Sequence, residues 1–362
     1  MSSIWGRMFT VSTWGESHGK AIGVVIDGCP SGLELSECDI QAQLDKRRPG
    51  QSKLTTMRKE SDKVEILSGL FEGKTTGTPI SMIIKNEDSR SQDYSEMVEW
   101  YRPSHADYTY DQKYGFRDYR GGGRASARET ATRVAAGAVA RKILLKDCGI
   151  KILAYVSQIG TISCNLSPVD CSHSEIEANL VRCPDPVIAK KMEEAILDVK
   201  KNQNSLGGII QLVIKNVPPG FGEPIFHRLE ADLAQAMLSI PATKGFEIGS
   251  GFAGTCLKGS EHNDPFIMED GKIKTQTNNS GGIQGGISNG MPILARVAFK
   301  PVATIAQSQN TVNAAGQTGV IRARGRHDPC VVPRAVVIVE SMAALTLVNF
   351  YLEHRVRMKN IS

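Results

Sequence analysis

The stretch Arg120-Gly-Gly-Gly-Arg-Ala-Ser-Ala-Arg-Glu-Thr130, with the alanine-rich run that follows it to Lys146, decides how this chain folds. Ser126 followed three residues later by Glu129 has the form of a capping box, so a helix is expected over Ala125–Lys146. Ala127, Ala131, Val134, Ala135, Ala138 and Val139 give it a face of small residues that permits close packing. A helix with such a face belongs in the core, and its arginine-rich start is then held rigidly. The glycines before it allow positive φ or close approach to a ligand. Free N–H groups and the positive dipole end at a helix start, beside Arg120, Arg124 and Arg128, suit a phosphate or a carboxylate.

Outward from this helix, short apolar or alternating runs read as strands at Ile22–Ile26, Ile80–Ile84, Ile209–Val213 and Ile293–Ala298. Helices are expected at Glu37–Lys46, opening after Ser36, and at Arg228–Ser239, with Leu229, Leu233, Ala236 and Met237 on one face. Residues Glu175–Asn202 hold one or two more, broken around Pro184 and Pro186. Helices and strands mixed at irregular spacing predict an α+β layered fold rather than regular βαβ winding. No repeat and no low-complexity linker divides the 362 residues, and a single domain over 1–362 is expected.

Composition narrows the function. Hydrophobic residues make up 41% of the chain, enough for a sizeable core. The net charge of +5 and 6% aromatic residues fit anionic small molecules, and fall short of the basic excess and interleaved aromatics of a nucleic-acid binder. Polar residues at Arg7, Ser12, Thr13 and Glu16 interrupt any signal-like apolar run, and Glu340 and Ser341 interrupt the apolar Ala335–Val348 segment, so neither secretion nor a membrane is expected. Eight cysteines without a Cys-x-x-Cys pair read as reduced thiols of a cytoplasmic protein with no metal site.

Several other stretches carry chemistry. Gly15-Glu-Ser-His-Gly19 matches the nucleophile elbow of serine hydrolases in letters only. An elbow leads into a helix, whereas Lys20–Gly28 reads as a strand. What the loop offers is His18 between glycines, where core packing is a poor explanation for a histidine. Arg102-Pro-Ser-His-Ala-Asp107 sets His105 in a second polar loop, and both histidines are candidates for general acid work. Lys46-Arg-Arg48, with Lys53 nearby, is explained equally by the dipole at a helix end and by a clamp on a polyanion. Arg322-Ala-Arg-Gly-Arg-His-Asp-Pro329 gathers Asp328 and Arg326 in a loop, ahead of an apolar segment of strand-then-helix character from Cys330 to Val348.

Together these motifs, with Arg47-Arg48-Pro49-Gly50 and Arg133-Val-Ala-Ala-Gly137, resemble the chorismate synthase family along nearly the whole chain. The resemblance implies a layered sandwich with central helices between antiparallel β-sheets, assembled as a homotetramer. It implies a 1,4-anti elimination of phosphate from 5-enolpyruvylshikimate-3-phosphate. It also implies a flavoprotein: reduced FMN is the cofactor, FAD would carry the same ring, and NAD(P)H reduces the flavin in members that do so themselves, an external flavin reductase in others. By this resemblance His18 protonates the departing phosphate, His105 stabilises the reduced flavin and Asp328 assists proton traffic at its N5. Ser17, Arg47, Arg48, Lys53, Arg102 and Arg128 would hold the substrate. Flavin contacts map to Arg124, Ala125 and Ser126, to Pro241 and Ala242, to Gly285, to Lys300, Pro301, Val302, Ala303 and Thr304, and to Arg326. Ala125 stands where many members have serine and Pro241 where many have asparagine, which matters only if those contacts run through side chains.

Overall fold

The computed structural model describes residues 3–56, 60–87, 98–322 and 327–357. Alternating burial builds a first sheet from β1 (Ile4–Trp5), β2 (Thr10–Gly15), β3 (Ala21–Asp27), β4 (Val64–Ile66) and, past a hairpin of β5 (Leu70–Phe71) and β6 (Lys74–Thr75), β7 (Ile80–Lys85). It is antiparallel throughout, in the order β1-β2-β3-β7-β4. Val24 lies opposite Thr13 and Met82, and Ile22 opposite Ile84, so one register turns Ile22, Val24, Ile26, Ile80, Met82 and Ile84 to the core.

A second antiparallel sheet uses β8 (Lys151–Ile159), β9 (Ile162–Ser163), β10 (Gly208–Lys215) and β11 (Thr243–Ile248). After the hairpins β12 (Phe266–Glu269) with β13 (Lys272–Thr275) and β14 (Ile283–Gln284) with β15 (Ile287–Ser288), β16 (Ile293–Phe299) completes it. Its order is β11-β16-β10-β8-β9. A hairpin of β17 (Ser308–Val312) and β18 (Thr318–Arg322) follows. Leu212 pairs with Ala154 on one side and Ala295 on the other, all three buried. On the outer face Tyr155 and Val213 form a small cluster with Cys171 and Ile176.

The helices are α1 (Glu37–Arg47), α2 (Asp107–Tyr114), α3 (Thr130–Cys148), α4 (His173–Glu177), α5 (Pro186–Lys201), α6 (Leu229–Leu238), α7 (Gly259–His262) and α8 (Val332–Arg357). Between the sheets α3 packs along α8; α3 also touches β2 and β3, while α8 touches β8 and β10. The close approach depends on Gly137, where a Cβ would stand 2.7 Å from the Ser341 Cα. The expected α+β sandwich with helices between antiparallel sheets is therefore what forms.

Two expectations give way. The Ser126–Glu129 capping box is absent: Gly123–Ala125 and Ala127–Glu129 are single 3₁₀ turns, and the α-helix starts at Thr130. The buried Glu129 carboxylate instead accepts hydrogen bonds from the Thr13 hydroxyl at 3.1 Å and the Arg133 Nε at 2.9 Å, partners that a local cap cannot match in a dry interior. The segment after Cys330 has no strand; α8 begins at Val332, with Pro333 in its first turn. Its β-branched run is helical because burial on all sides outweighs intrinsic propensity. By length and hydropathy α8 is able to span a membrane, yet 94% of its apolar window is buried inside the fold, which marks a core helix.

Candidate active site

Two loops and the turn at Gly121 converge at the edge of the helical layer. The first loop joins β2 to β3. Gly15, with φ of +88°, opens it, and the Asn86 side-chain amide donates to the Glu16 carbonyl at 2.9 Å and the Gly19 carbonyl at 2.7 Å. Ser17 and His18 are thereby held at the tip, Ser17 Oγ 3.0 Å from His18 Nδ1. The hydrolase reading finds no support in this strand–turn–strand setting. Gly121, with φ of +93°, presses against the same loop; a Cβ there would lie 2.6 Å from His18 Nδ1.

The second loop carries His105 ahead of α2. Ser104 has a left-handed backbone, φ +58°, and its carbonyl accepts from Lys300 Nζ at 3.3 Å. Arg102 grips Asp107 through its Nε at 2.8 Å and its Nη2 at 2.6 Å, and the Nη2 also reaches the Gly121 carbonyl at 2.9 Å. His105 Nδ1 lies 2.8 Å from the same carboxylate. Burial pushes the His105 imidazole below its ordinary range, and the Asp107 hydrogen bond offsets only part of that. For Asp107 burial acts upward, but Arg102 and His105 outweigh it and hold the carboxyl well below the usual carboxylate range.

Beneath these loops sits a buried charge cluster. Asp62 is wholly inaccessible and pairs with Arg47 Nη2 at 3.1 Å and with Arg128 Nη1. Arg128 further donates from Nε to Asn86 Oδ1 at 2.7 Å and from Nη2 to the Lys85 carbonyl at 3.1 Å, with Glu60 3.7 Å away. Arg47 Nη1 donates to the Ala127 and Arg128 carbonyls at 3.0 and 3.2 Å. Burial alone would raise the Asp62 carboxyl; the Arg47 and Arg128 guanidiniums outweigh it and keep it ionised. On the far wall Asp328 accepts from the Thr56 N–H at 2.9 Å and from Arg334 Nη1, and Arg334 Nε donates to the Arg47 carbonyl at 2.9 Å.

These groups surround a cavity of about 400 Å³. Of the residues expected from sequence, Ser17, His18, Arg47, Arg102, His105, Arg128 and Asp328 line it. So do Ala125 and Ser126, Pro241 and Ala242, and Lys300 through Thr304. Others do not. Arg48 is exposed beside Asp45, and Lys53 reaches away to Glu193 at 2.5 Å. Arg124 donates to the Gly15 carbonyl at 3.0 Å and Thr13 Oγ1 at 2.8 Å, facing a neighbouring cavity of about 690 Å³ that shares His105, Gly121 and Gly122. Gly285, φ +63°, sits in the turn of the β14–β15 hairpin and is not among the residues lining the cavity. Arg326 lies outside the described residues. Sequence reasoning missed Arg334, Thr56 and Asp62. An arginine inside the apolar tail was a signal for the first; nothing local marks the other two.

The site fits a flat ring beside an anion. Pro241, Ala242, Pro301, Val302 and Ala303 give one wall little beyond backbone and small apolar groups. Ala242, at φ +71°, turns its carbonyl to the Lys300 N–H at 2.9 Å, which fixes that strip. Lys300 titrates below its ordinary range, through burial and then the neighbouring Lys244. The same cavity carries two imidazoles and Arg47, Arg102 and Arg128, which suits loss of a phosphate.

A family profile described as chorismate synthase matches residues 9–352. A chorismate synthase of Opitutus terrae is 60% identical over 352 residues, covering 97% of each chain. One from Cyanothece sp. (strain PCC 7425) is 58% identical over 355 residues, covering 98% of each. A solved structure titled "Crystal Structure of Chorismate Synthase" superposes with a TM-score of 0.72 at 34% identity, covering 96% of this chain and 93% of that one.

Proposed function

This chain belongs to the chorismate synthase family, and from that premise we propose that the 400 Å³ cavity is where it eliminates phosphate from its substrate. The protein is a lyase: it converts 5-enolpyruvylshikimate-3-phosphate to chorismate, the last common step toward the aromatic amino acids. The observation that carries the assignment of the site is the meeting of His18, His105 and Asp328 on one cavity, from positions far apart in the chain.

The substrate brings one phosphate and two carboxylates. Arg128, Arg47 and Arg102 are fixed by buried acids before it arrives, so they present their field without reorganising, and Ser17 adds a hydroxyl at the His18 end. His18 delivers a proton to the departing phosphate, where charge accumulates in the transition state. Reduced FMN is the cofactor in this reading, and when bound it supplies electron density to the substrate and a base for the C6 hydrogen. Ala125, Ser126, Pro241, Ala242 and Lys300–Thr304 would hold it. His105 would meet its polar edge, and Asp328, kept beside Arg334, would assist proton traffic at its N5. FMN reaches the reduced state through NAD(P)H at this protein or through a separate flavin reductase; anaerobic NADPH oxidation by the purified protein distinguishes the two.

The same reading makes the chain one domain, since residues of both sheets share one core cluster, working as a cytoplasmic homotetramer. Exposed apolar side chains at Phe226, Phe252, Phe266, Met268 and Ile273 support burial between subunits. The catalytic test is anaerobic chorismate formation with dithionite-reduced FMN. His18→Ala and His105→Ala are each expected to lower kcat by about 10²-fold or more with native circular dichroism. Wild-type turnover in both variants overturns the assignment.

A further inference from the structure

We propose that Asp107 is the positioning residue of the site: it holds the Nδ1–H of His105 and so presents Nε2 to the cavity. The proposal rests on the reading of His105 as a site imidazole, and deepens it.

The geometry is that of an immobilised carboxylate. Asp107 Oδ2 accepts from the Arg102 backbone N–H at 3.0 Å and from Arg102 Nε at 2.8 Å. Oδ1 accepts from Arg102 Nη2 at 2.6 Å and faces His105 Nδ1 at 2.8 Å. Arg117 Nη1 stands 3.7 Å away, and the Asp107 side chain is only 3% exposed. A bidentate guanidinium together with a backbone N–H leaves the carboxylate no rotation. Arg102 is itself tied to the Gly121 carbonyl, so the frame extends to the turn that packs on His18.

An ionised carboxylate only accepts hydrogen bonds, so the atom at Nδ1 must be a donor. The neutral imidazole is then the Nδ1–H tautomer, and Nε2 is left with its lone pair toward the cavity. The charged groups around His105 are the cations Arg102 and Arg117, the anion Asp107, and Lys300 through the Ser104 carbonyl. Three cations against one carboxylate would exclude an imidazolium in a buried loop without that hydrogen bond. Asp107 thus does two things for one ring: it selects the nitrogen that faces the site, and it lets the ring accept a proton when an anion lies against Nε2. A carboxylate serving only to pair with Arg102 would do neither.

Histidine ¹⁵N-labelled protein without flavin reads the tautomer directly by long-range ¹H–¹⁵N correlation, with His105 assigned by its absence in His105→Gln. The wild type is expected to show the Nδ1–H form at neutral pH. In Asp107→Asn the His105 midpoint should fall by half a unit or more, the tautomers should mix, and kcat should drop at least tenfold with KM within threefold. Asp107→Glu keeps the charge and should restore the Nδ1–H form. An Nε2–H tautomer in the wild type overturns the proposal whether or not either variant folds, and so does an unchanged tautomer and midpoint in folded Asp107→Asn. His105→Ala turning over at the wild-type rate would instead remove the role of His105 and leave the tautomer result standing.

Discussion

Asp62 has no accessible surface, a left-handed backbone at φ +49°, and two arginines on its carboxylate. Such a residue stores strain and charge in one place, and the structure tolerates it because Arg47 and Arg128 need a common anchor when the cavity is empty. Asp62→Asn keeps a side chain that accepts positive φ but removes the charge. It should cost about 3–5 kcal/mol in urea unfolding, because two buried guanidiniums lose their counterion. In the fraction that folds, KM for the phosphorylated substrate should rise about tenfold, the equivalent of one weakened charge-assisted hydrogen bond. An unchanged denaturation midpoint and KM would show that Glu60 alone suffices. The same buried pairing explains why the arginine-rich motifs were legible as anion-binding while their arrangement was not. Arg47, Arg102 and Arg128 were visible in the sequence, and so was Asp107 five residues after Arg102; that Asp62 holds both Arg47 and Arg128 depends on residues brought together only by folding.

At the scale of elements, α3 and α8 set the thickness of the helical layer. Their contact at Gly137 and Ser341 leaves no room for a side chain, since a Cβ on residue 137 would lie 2.9 Å from the Ser341 Oγ as well as against its backbone. Gly137→Val is therefore expected to lower stability by about 3 kcal/mol through overpacking. Equilibrium denaturation checks this, with an unchanged m-value separating a strained native state from a loosened one. Farther along α8, Glu340 is buried and receives Arg141 Nη1 at 2.7 Å and the Ala154 N–H at 2.9 Å, joining α3, α8 and β8. The small-residue face of α3 could be read from its spacing, and so could β3, β7, β10 and β16 from theirs. The start of α3 could not, because Glu129 abandons its cap for Arg133 and Thr13, and Thr13 is supplied by another strand.

On the acid side of neutrality Asp62, Asp107 and His105 impose one direction of pH dependence on the whole molecule. Asp62 and Asp107 have folded values below their unfolded ones, so their stabilisation is complete above about pH 4 and is lost as pH falls through the folded values. His105 is also lowered on folding; its contribution is present above its ordinary value near 6.5 and is lost as the pH drops toward its folded value. All three act in the same sense. Urea midpoints should accordingly decrease from pH 7 to pH 5 and more steeply below pH 4, and a flat profile over that range would contradict the buried network. Taken alone, the sequence determined the kind of fold and the kind of chemistry: periodicity and small-residue faces are local properties, and glycine turns beside histidines and arginines announce an anionic ligand without any geometry. Only the tertiary structure decided which of those residues share a cavity. It set Arg48, Lys53, Arg124 and Gly285 outside the lining, brought Thr56 and Arg334 onto Asp328, and joined Arg47 and Arg128 on Asp62. Buried charges must find their counterions across the packed layers, and no spacing along the chain records where those partners will be.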